Sequence, residues 1–259
     1  MLTAVVSRVQ RLGASAIAFG VAAAQVGALL WGALIVVPLH SGRHGLRVVV
    51  DLVVKQLYFT GVQGLPLVGL AALALGTLII SEANAYLPVE YAPSTAAHIL
   101  AKDVVPLAVA FIVIGRSGTA ICVELAGMKL FGQLDALVAM GMPLEHVIVL
   151  PRLIGGVLSM LCLVTYGLLV ATGAGYALSK GLAPLPFSLE AIVSAISVSD
   201  LVLGATKGLL FGADFVLVAI REGYSVESSS REIPQATTRA VVRGMGLCLV
   251  LNSLLSVLA

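Results

Sequence analysis

The chain has 259 residues, of which 59% are hydrophobic, 11% charged and 5% aromatic, with a mean hydropathy of +1.08. Soluble domains carry about 25% charged residues, so 15 basic and 13 acidic side chains exclude a water-soluble enzyme and a disordered scaffold. The net charge of +2, without a long basic run, excludes a nucleic-acid partner as well.

Residues 1–37 come first, and their opening run MLTAVVSRVQRL sets Leu2, Val5, Val6, Val9 and Leu12 against Arg8 and Arg11. This amphipathic pattern predicts an N-terminal interfacial or elbow helix that dips into the bilayer without crossing it. A sixth span over 13–37 is the other reading, and it would place Arg8 and Arg11 outside. In the remaining domain, 38–259, apolar segments long enough to cross a bilayer fall at about 60–81, 98–123, 147–178, 201–220 and 241–258. The chain therefore reads as an all-α integral membrane protein with five transmembrane helices. Nine of the 15 basic residues (Arg43, Arg47, Lys55, Lys129, Arg152, Arg221, Arg231, Arg239 and Arg243) fall in alternate connections. The connections at 82–101 and 179–200 contain only Lys180. The positive-inside bias then predicts a cytoplasmic N-terminus and a C-terminus on the outer side.

Charges inside the spans are the informative ones, because each costs at least ~2.5 kcal/mol to insert unless it is paired or faces a cavity. Lys102 and Asp103 stand at the outer end of the second span, and Lys207 lies at a similar depth in the fourth. Together they can hold a lipid headgroup, gate an outward cavity, or simply staple two helices. Asp214, seven residues after Lys207 on a similar face, needs a partner or a proton. Arg116 and Glu124 are eight residues apart on one helix face and are expected to form a structural intramembrane pair. Gly204, Gly208 and Gly212 recur every fourth residue, a stripe that admits close helix packing.

Between the second and third spans, Leu130, Leu134, Leu137 and Val138 form an apolar stripe that ends at Gly141 and Pro143. The pattern predicts a short helix over about 129–141, lying on the membrane surface or docked in a partner's groove. No catalytic apparatus is legible. No Gly-Lys dipeptide exists for a P-loop, no HExxH occurs, and the GRSGT run fails the nucleophile-elbow spacing. His40, His44, His98 and His146 sit in polar connections and predict no metal site. Cys122, Cys162 and Cys248 show no CxxC spacing and read as small apolar residues.

The runs GRSGTAICVEL (115–125), GQLDALVAMGMP (132–143), PRLIGG (151–156) and QATTRAVV (235–242) resemble the MlaE/YrbE family of ABC-transporter permeases. The resemblance extends from about Lys55 to the C-terminus. It implies a homodimer in the bacterial inner membrane, each subunit with an interfacial helix and five spans. It further implies a cytoplasmic ATPase dimer that holds ATP and Mg, leaving no cofactor on this chain. The other implied partners are a periplasmic MCE-domain protein, a small STAS-domain accessory subunit and a lipid substrate, with phospholipid as the default. Such a system would serve outer-membrane lipid asymmetry. Gln133, Asp135, Ala136, Leu137, Met140 and Gly141 match the family's EExDALxxMG-like coupling element, although Gly132 stands where a glutamate is common. Lys102, Asp103 and Lys207 match charges near the family's lipid cavity. Asp214 has no such counterpart, and an acid of the last span is replaced near Cys248. A secondary transporter coupled to ions or protons and a purely structural membrane subunit are the competing classes.

Overall fold

A computed structural model describes residues 43–141, 144–182, 188–227 and 229–258. The expected N-terminal interfacial helix over 1–37 lies outside the described residues. The compact unit is Val49–Ala259; of the preceding unit, only residues 43–48 are described, and they are helical.

Among the described residues every regular element is helical. Among those residues five helices are long and apolar enough to cross a membrane: α1 (Val49–Tyr86), α2 (Ala92–Leu130), α4 (Val147–Gly181), α6 (Val198–Tyr224) and α7 (Ser230–Val257). Two short helices join them, α3 (Gln133–Ala139) between α2 and α4, and α5 (Leu189–Ala195) between α4 and α6. The chain is thus an all-α, multi-pass membrane protein. At 27 to 39 residues and about 1.5 Å per residue, each rod outreaches a hydrocarbon core of about 30 Å. The helices also run beyond the apolar windows read from sequence. Hydropathy marks where side chains meet lipid, whereas backbone hydrogen bonding continues into the interface.

Prolines shape the rods. A proline gives no N–H to the carbonyl four residues earlier, and its ring crowds that carbonyl. Wide π-helical turns at Leu100–Val104 and Glu145–Val149 absorb the crowding just before Pro106 and Pro151. In α1, a 3₁₀ turn at Val62–Gly64 interrupts the rod between Gly61 and Pro66.

The core is built on α6, which packs against α4, α7 and α2. The glycine stripe makes this possible. A Cβ on Gly212 would lie 2.8 Å from the Cα of Val157, and one on Gly204 would lie 3.1 Å from the carbonyl oxygen of Ala101. Gly156 of α4 reciprocates, facing Val216 and Phe215. The stripe therefore seats α6 within its own bundle. A tighter approach, unmarked by any such stripe, joins α1 to α4 at Gly76 and Gly175. The last helix, α7, is the least covered of the five: Ala236, Ala240, Gly244 and Cys248 face inward, while Val242, Val250 and Leu254 face outward.

The short helix α3 is narrower than the expected 129–141. Gly132 and Gly141 both take left-handed φ, +68° and +74°, which breaks the helix on either side. Lys129 and Leu130 consequently belong to α2.

Candidate functional site

At the end of the bundle opposite α3, Lys207 of α6 is completely buried. Its ammonium donates to Asp103 Oδ1 at 2.6 Å, Ser256 Oγ at 2.7 Å and the Lys102 carbonyl at 2.8 Å. An ammonium has three N–H donors, and these contacts use all three. The Lys102 carbonyl is open to it because Pro106, four residues on, has no N–H to offer. Ser256 Oγ donates in turn to Asp103 Oδ1 at 2.6 Å, which closes a ring over α2, α6 and α7. Asp103 keeps 39% of its side chain exposed, so the ring has a buried cation and an anion reaching the rim. Lys102 takes part through its backbone; its ammonium is not in the ring.

The same end is fastened by the start of α6. Ser197 and Asp200 form a capping box, and Asp200 Oδ2 also lies 2.7 Å from His98 Nδ1 of α2. Deeper in the bundle, Asp214 does not join the Lys207 ring. Its Oδ2 and the Oδ1 of Asn252 are buried without a hydrogen-bond partner.

At the α3 end the expected pairing of Arg116 with Glu124 is corrected. Arg116 donates to the Phe59 carbonyl at 3.1 Å and Gln63 Oε1 at 2.9 Å, with its guanidinium 5.3 Å above the Phe59 ring. Glu124 pairs with Arg152 of α4 at 2.9 Å. Two helical turns separate Arg116 from Glu124, about 12 Å along the axis, while the break in α1 leaves the Phe59 carbonyl open to Arg116.

A second charged cluster escaped the sequence reading. Glu222, buried near the end of α6, accepts from Arg239 Nε at 3.1 Å and from Arg243 Nη1. Arg239 also donates to Ser225 Oγ at 3.2 Å. Lys129 Nζ donates to the Tyr224 carbonyl at 2.5 Å, capping the C-terminus of α6 from the last turn of α2. The signal was available: Arg239 and Arg243 are one turn apart, facing an acid eight residues beyond Asp214. Glu222→Ala should lower stability in detergent by about 2 kcal/mol, less than for a wholly buried pair because both arginines are half exposed. Thermal unfolding of the purified variant measures this, and an unchanged midpoint would show the cluster to be idle.

Helix α3 itself buries Leu134 and half-buries Leu137, and it exposes Gln133, Asp135, Ala136, Met140 and Gly141. Phe131, Val138 and Met140 are among the most exposed large apolar side chains at this end. The helix is a short rod between two glycine joints, with a polar and apolar face that the other described helices leave without cover.

Residues 53–258 match the family described as Permease MlaE. The chain is 30% identical over 262 residues to the intermembrane phospholipid transport system permease protein MlaE of Haemophilus influenzae, covering 97% of each chain. It is 28% identical over 214 residues to a probable ABC transporter permease protein of Rickettsia typhi, covering 80% of this chain and 82% of that one. A probable ABC transporter permease protein of Synechocystis is 26% identical over 160 residues, covering 61% of this chain and 60% of its own.

Proposed function

Because the chain belongs to the MlaE permease family, we propose that it is the membrane subunit of an ABC transporter that moves phospholipid between the inner membrane and a periplasmic MCE-domain partner. The observation that carries this reading is α3, an exposed rod set between left-handed Gly132 and Gly141 directly after the last turn of α2, which Lys129 ties to the end of α6. Such a helix suits docking into a groove of a cytoplasmic ATPase. The phospholipid assignment is supported by the likeness to the Haemophilus protein, named as an intermembrane phospholipid transport system permease.

In this reading the α3 end faces the cytoplasm, in keeping with the basic residues gathered there, and the Lys207 ring faces the periplasm. Two copies form the permease, and a pair of ATPase subunits holds ATP and Mg. A small STAS-domain subunit accompanies the ATPase. Lipid tails lie against the apolar spans, with the headgroup near Asp103, Lys102 and Lys207. Asp214 lies below this zone on the same helix. Closure of the ATPase pair displaces α3, and α6 carries the movement about 22 Å from Glu222 to Lys207. This chain performs no covalent chemistry.

Asp135 is exposed in the first turn of α3, where a charge reversal perturbs docking without disturbing the bundle. Asp135→Lys should insert and dimerise normally, and ATP hydrolysis by the co-purified complex should lose its stimulation by lipid, roughly tenfold for a lost interfacial charge contact. A variant that retains fully lipid-stimulated hydrolysis would refute the docking role.

A further inference from the structure

A groove of about 390 Å³ opens at the α3 end between the start of α1, the end of α2 and the first turns of α4. Leu52, Phe59, Ile121, Met128 and Ile148 make its apolar wall, and Lys55, Glu124 and Arg152 give it charge of both signs. The side of α1 next to it carries Val50, Val54 and Tyr58, each more than half exposed at successive turns. That row belongs against acyl chains, so the groove borders the bilayer and can be entered from the side.

Its charges are incompletely used. Arg152 spends one N–H on Glu124 Oε1 at 2.9 Å and one on the Ile148 carbonyl at 3.3 Å, leaving three of its five donors. Among the described residues Lys55 pairs with the exposed Asp51 alone, at 2.9 Å. Among the described residues no group donates to the second oxygen of Glu124, and 59% of that side chain is exposed. Cations for a phosphate and a carboxylate for an ammonium thus stand together beside an apolar wall.

We propose that this groove binds a phospholipid with an ammonium-bearing headgroup from the leaflet at the α3 end. One acyl chain lies along Phe59, Ile121 and Met128, the phosphate meets Arg152 and Lys55, and the ammonium meets Glu124. A glycerol headgroup leaves Glu124 facing a net negative lipid. A choline headgroup supplies charge but no N–H donor to the carboxylate. The groove is separate from the Lys207 ring at the opposite end of the bundle. Leu137 of α3 also lines it, so an occupied groove braces the helix assigned above to ATPase docking. Binding itself needs only the folded chain in its bilayer, and its test is independent of transport or coupling.

The test is native mass spectrometry of the purified full chain, titrated with phosphatidylethanolamine, phosphatidylcholine and phosphatidylglycerol of identical acyl chains. A diazirine-bearing phosphatidylethanolamine maps the site in parallel. Phosphatidylethanolamine should be retained best and should cross-link to residues 52–59 and 121–128. Glu124→Gln should remove the preference over phosphatidylglycerol, and Arg152→Gln should weaken retention about tenfold, as expected for a lost charge-assisted contact to phosphate. If either variant fails to fold, Lys55→Met, at an exposed pair, should still weaken retention. Equal retention of the three lipids, cross-links confined to the Lys207 end, or retention indifferent to all three variants would overturn the proposal. So would protection of the groove by a co-purified ATPase with no lipid beneath it, which would assign the surface to a protein.

Discussion

Lys207→Met is expected to destabilise the protein by about 3 kcal/mol and to abolish headgroup-dependent lipid retention at the periplasmic end of the proposed transporter. Methionine fills a similar volume, so packing is nearly conserved and the loss is electrostatic. It removes three hydrogen bonds at once and leaves the Lys102 carbonyl, already deprived of a helical partner by Pro106, without a donor. Asp103 keeps Ser256 and some solvent, which holds the penalty below that of a wholly buried orphan. Unfolding midpoints in detergent measure the stability, and bound-lipid analysis measures the retention. Pairing Lys207→Met with Asp103→Leu separates the two roles. Replacing both partners by apolar groups should recover most of the stability, whereas lipid retention should stay lost. Recovery of both would show that the ring is a staple and nothing more.

Gly76→Val is expected to lower stability by about 3 kcal/mol and to cut the yield of folded protein, because overpacking at a backbone contact cannot relax through a side chain. A Cβ at Gly76 would lie 2.2 Å from the carbonyl oxygen of Ala171. Helices α1 and α4 would have to part by about 1 Å to restore ordinary contact. Gly175, one turn further along α4, would itself place a Cβ 2.9 Å from the Gly76 carbonyl carbon, so the two backbones touch over a full turn and no side chain can yield. Gly173 supplies the control: it lies on α4 within two residues of both contacts, and nothing stands within 4 Å of its would-be Cβ. Gly173→Ala should be neutral or slightly stabilising, since alanine is the better helix former by about 1 kcal/mol. Thermal unfolding of the three proteins side by side decides the matter, and equal midpoints would show the α1–α4 approach to be slack.

Much of the site was legible residue by residue. Lys207 and Asp103 could be placed together because a buried charge must find its opposite and helical rise put both at one depth. Ser256 was not legible, since a serine in an apolar helix has no obligation that sequence reveals. The Arg116–Glu124 pairing failed for a related reason. Spacing on one helix ranks partners within that helix, and here α1 and α4 each offered a nearer one. The Glu222 cluster lay across a loop between α6 and α7, where the arginines read first as orienting charge rather than as ligands of a buried acid.

By itself, the sequence determined that the chain lives in a bilayer, that five segments within 38–259 are long and apolar enough to cross it, and that a short helix ending at Gly141 lies between two of them. Those features follow from composition, length and glycine or proline chemistry, which act locally and need no partner. The tertiary structure alone decided that Glu124 meets Arg152 and Glu222 meets Arg239 and Arg243, that the glycine stripe packs on α4 and α2, that α1 and α4 touch backbone to backbone, and that Lys129 ties the end of α2 to α6. Each of those depends on how five rods turn about their axes. Hydropathy is nearly blind to that rotation when lipid and protein interior are equally apolar.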